Sequence, residues 1–245
     1  MIRIIPSLLI YNNTLVKGVK FTNYKNAGNP VTTVLGYQSQ KADEISLINL
    51  NHYKKEGDFD LEILKKISKV CNTPITFGGA VDSFTKVSQI FSSGADKVYI
   101  SKYFYKNIKF IDKISSHYGS QSIVGGINLV KIDKDYKLLE DETKKINPIE
   151  HLKKLIDNGV GEIKITFVDL EGTGQGFDLN YIGKILNNCN IPTIFEGGIG
   201  NLLDFKKAAD IGVNSFSVGT FITFKDYNII KIKQYLKNEG LNIRL

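Results

Sequence analysis

The sequence predicts a (β/α)8 TIM barrel made of two similar half-barrels, forming a single domain over residues 1–245. Three observations carry the prediction. Short apolar segments alternate with segments of helical period. Residues 73–101 line up without a gap on residues 191–219, so that Pro74 and Pro192, Gly79 and Gly197, and Gly94 and Gly212 are each 118 positions apart. A length of 245 residues suits one α/β barrel. A doubly wound open sheet would also give the alternation, but it does not predict the half-chain repeat.

The eight strands read as residues 4–10, 44–50, 75–77, 97–101, 122–128, 162–168, 193–196 and 215–218. They are short, rich in Ile, Val and Phe, and bounded by Gly, Pro or Asn, as strands covered on both faces are. Between them apolar residues recur at spacings of three and four. Leu61-Leu64-Ile67-Ser68, Val87-Ile90-Phe91, Ile149-Leu152-Leu155-Ile156 and Ile229-Ile232-Tyr235-Leu236 show it. Asp58 or Asp60, Asp82 or Ser83, and Asn147 ahead of Pro148 are the expected helix starts. Gly94, Gly159 and Gly212 end helices just before a strand. The charged segment 131–145 interrupts the alternation. It reads as an enlarged loop with a short hairpin, Lys131-Ile132 and Lys137-Leu138 as arms and Asp133-Lys134-Asp135 as the turn. Leaving from the C-terminal end of a strand, it is placed to cover a ligand.

A composition of 42% hydrophobic residues, with 14 Phe and 12 Tyr, supplies a sizeable core. No apolar run has the length to span a bilayer, and Met1-Ile2-Arg3 leads directly into a strand, so a cytoplasmic protein without a membrane partner is expected. Cys71 and Cys189 occupy repeat-related positions before Pro74 and Pro192 and are expected to be buried reduced thiols. No CxxC or Cys/His cluster points to a metal, and no cofactor is implied. The net charge of +7 comes from 32 Lys and Arg spread along the chain. Without the Arg–aromatic interleaving of a nucleic-acid groove, it points to a small anionic ligand rather than DNA or RNA.

Barrels bind ligands at the C-terminal ends of their strands. Here those ends include Phe77-Gly78-Gly79-Ala80, Ile100-Ser101, Glu196-Gly197-Gly198-Ile199-Gly200 and Val218-Gly219-Thr220. Glycine lets backbone N–H groups approach a ligand, and a helix N-terminus following each pair adds partial positive charge. Two repeat-related cradles suggest a substrate with an anionic group at each end.

Further motifs are Arg3-Ile4-Ile5-Pro6, Val16-Lys17-Gly18-Val19, Asn26-Ala27-Gly28-Asn29-Pro30, Ala42-Asp43-Glu44, Gly94-Ala95-Asp96-Lys97-Val98 and Tyr118-Gly119-Ser120-Gln121. With Asp169, Gly172-Thr173, Gly176-Phe177-Asp178 and residues 235–245, they make the chain resemble the cyclase subunit of imidazole glycerol phosphate synthase over nearly its whole length. The resemblance implies a (β/α)8 barrel that takes ammonia from a glutaminase partner. That family adds the ammonia to a doubly phosphorylated ribonucleotide and splits the product while closing an imidazole ring. It implies phosphate sites at Gly78, Gly79, Ala80 and Ser101, and at Gly172, Thr173, Gly197, Gly198, Gly219 and Thr220.

The departures bear on chemistry. The resemblance implies acid/base aspartates at the ends of strands one and five, where this chain has Leu9 and Asn128. A third, at the end of strand two, is Asn49. Neither leucine nor asparagine exchanges protons usefully, so the same ammonia is expected to meet another acceptor. Arg3, Glu44, Lys97 and Glu162, at strand starts, match the family's charged gate on the ammonia path, and Asp96 is the candidate contact to the glutaminase. Titratable groups at the other end are Lys17, Asp169, Glu171 and Glu196, with His52 and Asp178 nearby. Lys17 is expected to hold an anion. Asp169 and Glu171 match the family's acidic pattern. Glu196 is the candidate for new acid/base work or a cap on the next helix turn, although its charge would repel a phosphate at Gly197-Gly198. His117 and His151 read as structural. The expected role is an ammonia-using synthase subunit acting with a glutaminase and a third, amidating enzyme on a nucleotide-linked N-acetyl sugar of a surface glycan. The alternatives are the histidine-pathway cyclase subunit itself, a non-catalytic ammonia relay, and a phosphosugar isomerase of the same barrel type.

Overall fold

The computed structural model describes residues 1–51, 61–224 and 226–245. Its first half holds β1 (Arg3–Tyr11), β2 (Thr14–Val19), β3 (Thr22–Gly28), α1 (Pro30–Ser39), β4 (Ile45–Asn49), α2 (Glu62–Ser68), β5 (Ile75–Gly78), α3 (Phe84–Ser92), β6 (Lys97–Ile100), α4 (Lys102–Lys106) and α5 (Phe110–Tyr118). The second half holds β7 (Ile123–Ile132), β8 (Asp135–Leu138), α6 (Pro148–Asp157), β9 (Glu162–Phe167), α7 (Leu179–Leu186), β10 (Thr193–Glu196), α8 (Leu202–Asp210), β11 (Ser215–Val218), α9 (Thr220–Thr223) and α10 (Ile229–Asn238).

Strands β1, β4, β5, β6, β7, β9, β10 and β11 are parallel neighbours in that order, and β11 pairs back onto β1. The sheet is therefore a closed eight-stranded barrel, as the sequence predicts. The helices bury one face each against it: Leu64 and Ile67, Val87 and Ile90, Leu152 and Leu155, and Ile232 and Leu236 are all buried. Helix starts are where expected for two segments. The Ser83 hydroxyl accepts from Lys86 N–H, and the Asn147 side chain accepts from Ile149 N–H, with Pro148 at the first helical position. Asp58 and Asp60 lie outside the described residues. Gly94, Gly159 and Gly212 take φ of 96°, 99° and 105°, the left-handed conformation that stops a helix.

The repeat is visible as geometry. A Cβ on Gly79 would lie 2.0 Å from Asn49 O, and one on Gly197 would lie 2.5 Å from Phe167 O; Gly79 and Gly197 are 118 positions apart, and so are Asn49 and Phe167. At both places a strand end crosses so close to its neighbour that only glycine fits. Cys71 and Cys189 likewise make the same contact, each thiol facing the carbonyl two residues on, Thr73 O and Ile191 O. Both cysteines are free but only half-buried, against the expectation of full burial. Each sits just before its strand begins, packed against the edge of the core.

Other expectations need correction. The segment after strand one adds an antiparallel hairpin, β2 and β3, that the eight-strand reading does not include, so Lys17 sits on a strand. Strand five runs on past Asn128 to Ile132 and turns back as β8. Its turn is two residues, Asp133-Lys134, because Asp135 already pairs with Ile132; Asp133 takes φ 55°. Two helices, α4 and α5, fill the place of one between β6 and β7. None of the described helices is long and apolar enough to cross a membrane.

Candidate functional site

Strand alternation decides what points into the barrel. On β9 the inward residues are Glu162, Lys164 and Thr166, while Ile163, Ile165 and Phe167 face the helices. At the N-terminal end, Arg3, Glu44, Lys97 and Glu162 form a closed ring. Lys97 Nζ lies 2.7 Å from Glu44 Oε2 and 2.6 Å from Glu162 Oε2. Arg3 closes the circle, ion-paired with Glu162 and 3.6 Å from Glu44. Further hydrogen bonds hold it: Arg3 Nε donates to Ser215 Oγ at 3.0 Å and Thr76 Oγ1 to Glu44 Oε1 at 2.6 Å. Burial works against the charge of Lys97, but the two carboxylates outweigh it and raise its pKa. Alternating signs at the starts of strands thus join side chains from β1, β6 and β9, and from the residue before β4, into one network. Asp96, exposed beside it, has its carboxylate on Ile75 N–H at 2.8 Å, tying one strand start to the next.

The opposite end is lined by buried ion pairs. Lys17 is ion-paired with Glu171, both buried. Lys164 Nζ lies 2.8 Å from Glu196 Oε2 and 3.2 Å from Ser7 Oγ, and Thr166 Oγ1 donates to Glu196 Oε2 at 3.3 Å. Burial alone would raise the Glu196 pKa. Lys164 and Lys17 overcome it and hold the carboxyl at about 2. The sequence reading missed Lys164, although it answers the repulsion expected between Glu196 and a phosphate. The signal was present in β9, whose sequence EIKITF alternates polar and apolar residues with period two.

Gly172, Gly197, Gly198, Gly219 and Thr220 gather around one small recess, together with Glu171, Glu196 and Ser217. A Cβ on Gly219 would lie 2.6 Å from Lys17 Nζ, so the Lys17 ammonium rests against this backbone. Thr220 Oγ1 and Ser217 Oγ are buried here with no hydrogen-bond partner among the described residues. Asp204 caps α8 and takes the N–H groups of Gly200 and Asn201 at 2.7 and 3.0 Å, so those two donors are already engaged. Thr173 turns away, its hydroxyl on Leu170 O at 2.8 Å. The first-half cradle differs. A Cβ on Gly78 would lie 2.7 Å from Tyr99 Cδ1, so this glycine makes room for Tyr99 inside the barrel. Ala80 takes φ 55°, where its repeat partner Gly198 takes 110°. Ser101 precedes α4 without capping it.

The remaining candidates separate into two groups. Asn128 is at the mouth, its Nδ2 donating to Glu140 Oε1 at 2.5 Å and its carbonyl accepting from Leu139 N–H at 2.8 Å. Burial raises the Glu140 pKa more than the Asn128 hydrogen bond lowers it. Leu9 and Asn49 also sit at strand ends, Leu9 half-buried beside Lys17 and Tyr37 around a second recess. Asp169 and Asp178, in contrast, anchor the β7–β8 hairpin. Asp169 Oδ2 accepts from Lys131 N–H at 2.5 Å, and Asp178 accepts from Tyr136 Oη at 3.2 Å while capping α7. His52 lies outside the described residues. His151 is buried on α6, and His117 packs edge-on to Phe84.

These features define a (β/α)8 barrel with a charge ring at its floor and a polar recess at its mouth. The chain belongs to the histidine biosynthesis protein family, which matches residues 3–228. It is 32% identical over 247 residues to the imidazole glycerol phosphate synthase subunit HisF of Campylobacter concisus (strain 13826), an alignment covering 99% of this chain and 98% of that protein.

Proposed function

We propose that this chain is an ammonia-using synthase subunit that pairs with a glutaminase at the N-terminal face of the barrel and passes ammonia to an acceptor other than the one closed into imidazole. The observation that carries the reading is the closed ring of Arg3, Glu44, Lys97 and Glu162 beneath a mouth where Leu9, Asn49 and Asn128 stand at the strand ends. A ring of paired charges excludes ions but can part for a neutral molecule. The face around it carries exposed apolar residues, Met1, Val70, Ile211 and Leu245, as a docking surface requires. Asp96 stands at this face as a contact for the partner. The acceptor we propose is a nucleotide-linked N-acetyl sugar destined for a surface glycan, amidated together with a third enzyme. Gly197, Gly198, Gly219 and Thr220 would hold an anionic group of a ligand in the recess, beside the Lys17 ammonium.

Two experiments test this. The gene should fail to restore growth to a histidine auxotroph lacking its cyclase subunit; growth would place the chain in the histidine pathway. The chain should also co-purify with a glutaminase encoded beside it and stimulate glutamine hydrolysis. A second reading, a non-catalytic relay, is favoured by the pairing of both mouth lysines with glutamates. It predicts no product from chain, glutaminase, ammonia and sugar until the third protein is added.

A further inference from the structure

The second recess lies beside Lys17, between the barrel wall and two helices. It is enclosed by the end of β1, the β2–β3 hairpin, α1 and α9. Leu8, Leu15 and Ile222 are buried and form its floor. Leu9, Ala27 and Thr33 are half-buried and form its rim.

Most of its polar lining is already engaged. Lys17 is ion-paired with Glu171. Ser7 Oγ accepts from Lys164 Nζ at 3.2 Å. Tyr37 is hydrogen-bonded with Thr223, whose hydroxyl donates to Gly219 O at 3.0 Å. Burial raises the Tyr37 pKa, so the phenol stays neutral. Thr33 is the remaining hydroxyl of the lining. No carboxylate stands among the described lining residues. A cation would find no counter-charge here, and an anion would have to compete with Glu171 for Lys17. Either would be taken out of water without a free partner, which is costly. Water is also poorly served, since an enclosed molecule needs about two to four polar partners. Apolar walls with one placed polar group are instead the make-up of a small-molecule site.

We propose that this recess binds a short uncharged acyl group, its alkyl end against Leu9, Leu15 and Ile222 and its carbonyl oxygen on the Thr33 hydroxyl. Two sources share this chemistry: a free small amide, and the acyl arm of a larger ligand. The second gains support from Lys17, which lines this recess while its ammonium rests against Gly219 of the first one. The site does not depend on the proposed ammonia route.

The test is a methyl-detected NMR titration of the full chain, with N-methylacetamide as the probe. Wild type should show saturable shifts confined to the methyl groups that line the recess, among them those of Leu9, Leu15, Thr33 and Ile222. A27L, which fills the recess, should weaken this binding by about tenfold or more. L9D, which sets a carboxylate at the rim, should act in the same direction and serves if A27L does not fold. Shifts that are absent, scattered over the surface, or unchanged in a folded variant overturn the site. N-acetylglucosamine 1-phosphate and glucose 1-phosphate separate the two sources. An acyl arm predicts that the first shifts the recess methyls at about tenfold lower concentration than N-methylacetamide, and that the second does not shift them. Binding of N-methylacetamide there, with no recess shift from either sugar phosphate, identifies a free small amide. A chain that binds no glutaminase would sink the proposed function and leave this result standing.

Discussion

Lys164 Nζ and Glu196 Oε2 lie 2.8 Å apart inside the barrel, on neighbouring strands, in positions that barrels commonly fill with apolar side chains. Removing one partner of such a buried pair leaves an uncompensated charge and costs about 3–5 kcal/mol, whereas replacing both by apolar groups is close to neutral. K164M is therefore expected to lose about that much stability in denaturant titration, and K164M/E196M much less. Equal losses in both would mean that the pair contributes packing rather than charge.

The same carboxylate sets an acid limit. The folded pKa of Glu196, about 2, lies below its ordinary 4.5. Its contribution is present above pH 4.5 and is lost as pH falls toward 2. The difference corresponds to about 3 kcal/mol. Comparing wild type with K164M/E196M between those pH values should show the variant losing less stability.

His151 acts earlier in the same titration. It is buried on α6 with its ring 6.2 Å from that of Tyr105, and burial, helped by Lys154, lowers its pKa to about 4. A depressed folded pKa means that stability is complete above pH 6.5 and falls as pH drops through 4, by about 3 kcal/mol. H151F should flatten the thermal stability profile between pH 6.5 and 4. If the profile keeps its slope, another group is responsible.

Much of the architecture was legible because strand and helix signals follow from local sequence. The 118-residue repeat even located glycines whose need is non-local, Gly79 and Gly197, facing Asn49 and Phe167. Less legible were features that depend on two distant segments meeting. The role of Lys164 depends on Glu196, 32 positions away on the next strand, and that of Glu140 on Asn128, from within a charged segment that resembles a solvated loop. In the fold that segment is pinned: Asp141 is fully buried and accepts from Thr143, Ile146 and Tyr105, so Glu140 is carried back over Asn128. The hairpin turn is one residue shorter than the sequence predicts, because Asp135, a turn-forming residue type, has a strand partner in Ile132.

Ala80 and Gly198 are repeat partners with left-handed backbones, at φ 55° and 110°. Only one of them is glycine. A left-handed alanine costs about 1–2 kcal/mol, partly offset by the smaller entropy it loses on folding. A80G is expected to change stability by no more than about 1 kcal/mol, in the stabilising direction. G198A is expected to cost more than about 2 kcal/mol, since its Cβ would lie 2.1 Å from Gly176 O. Thermal denaturation of the two variants checks the asymmetry.

Asn128 and Glu140 offer the last prediction, at the mouth. Their 2.5 Å contact pairs a neutral amide with a carboxyl whose pKa burial already raises. N128D would restore a carboxyl to the end of strand five but would set it against another. Two carboxylates at that distance share a proton, so the pair's higher pKa rises further. A raised folded pKa gives stability that is present below about pH 4.5 and lost as pH rises through the folded value. N128D should thus be destabilised at neutral pH by about 1–3 kcal/mol and recover on acidification, with N128D/E140Q relieved at both. If N128D is as stable as wild type at neutral pH, Glu140 is free to swing away. The mouth could then accommodate an aspartate there without further change, and the chemical distance between this chain and an aspartate-bearing barrel would be a single residue at this strand.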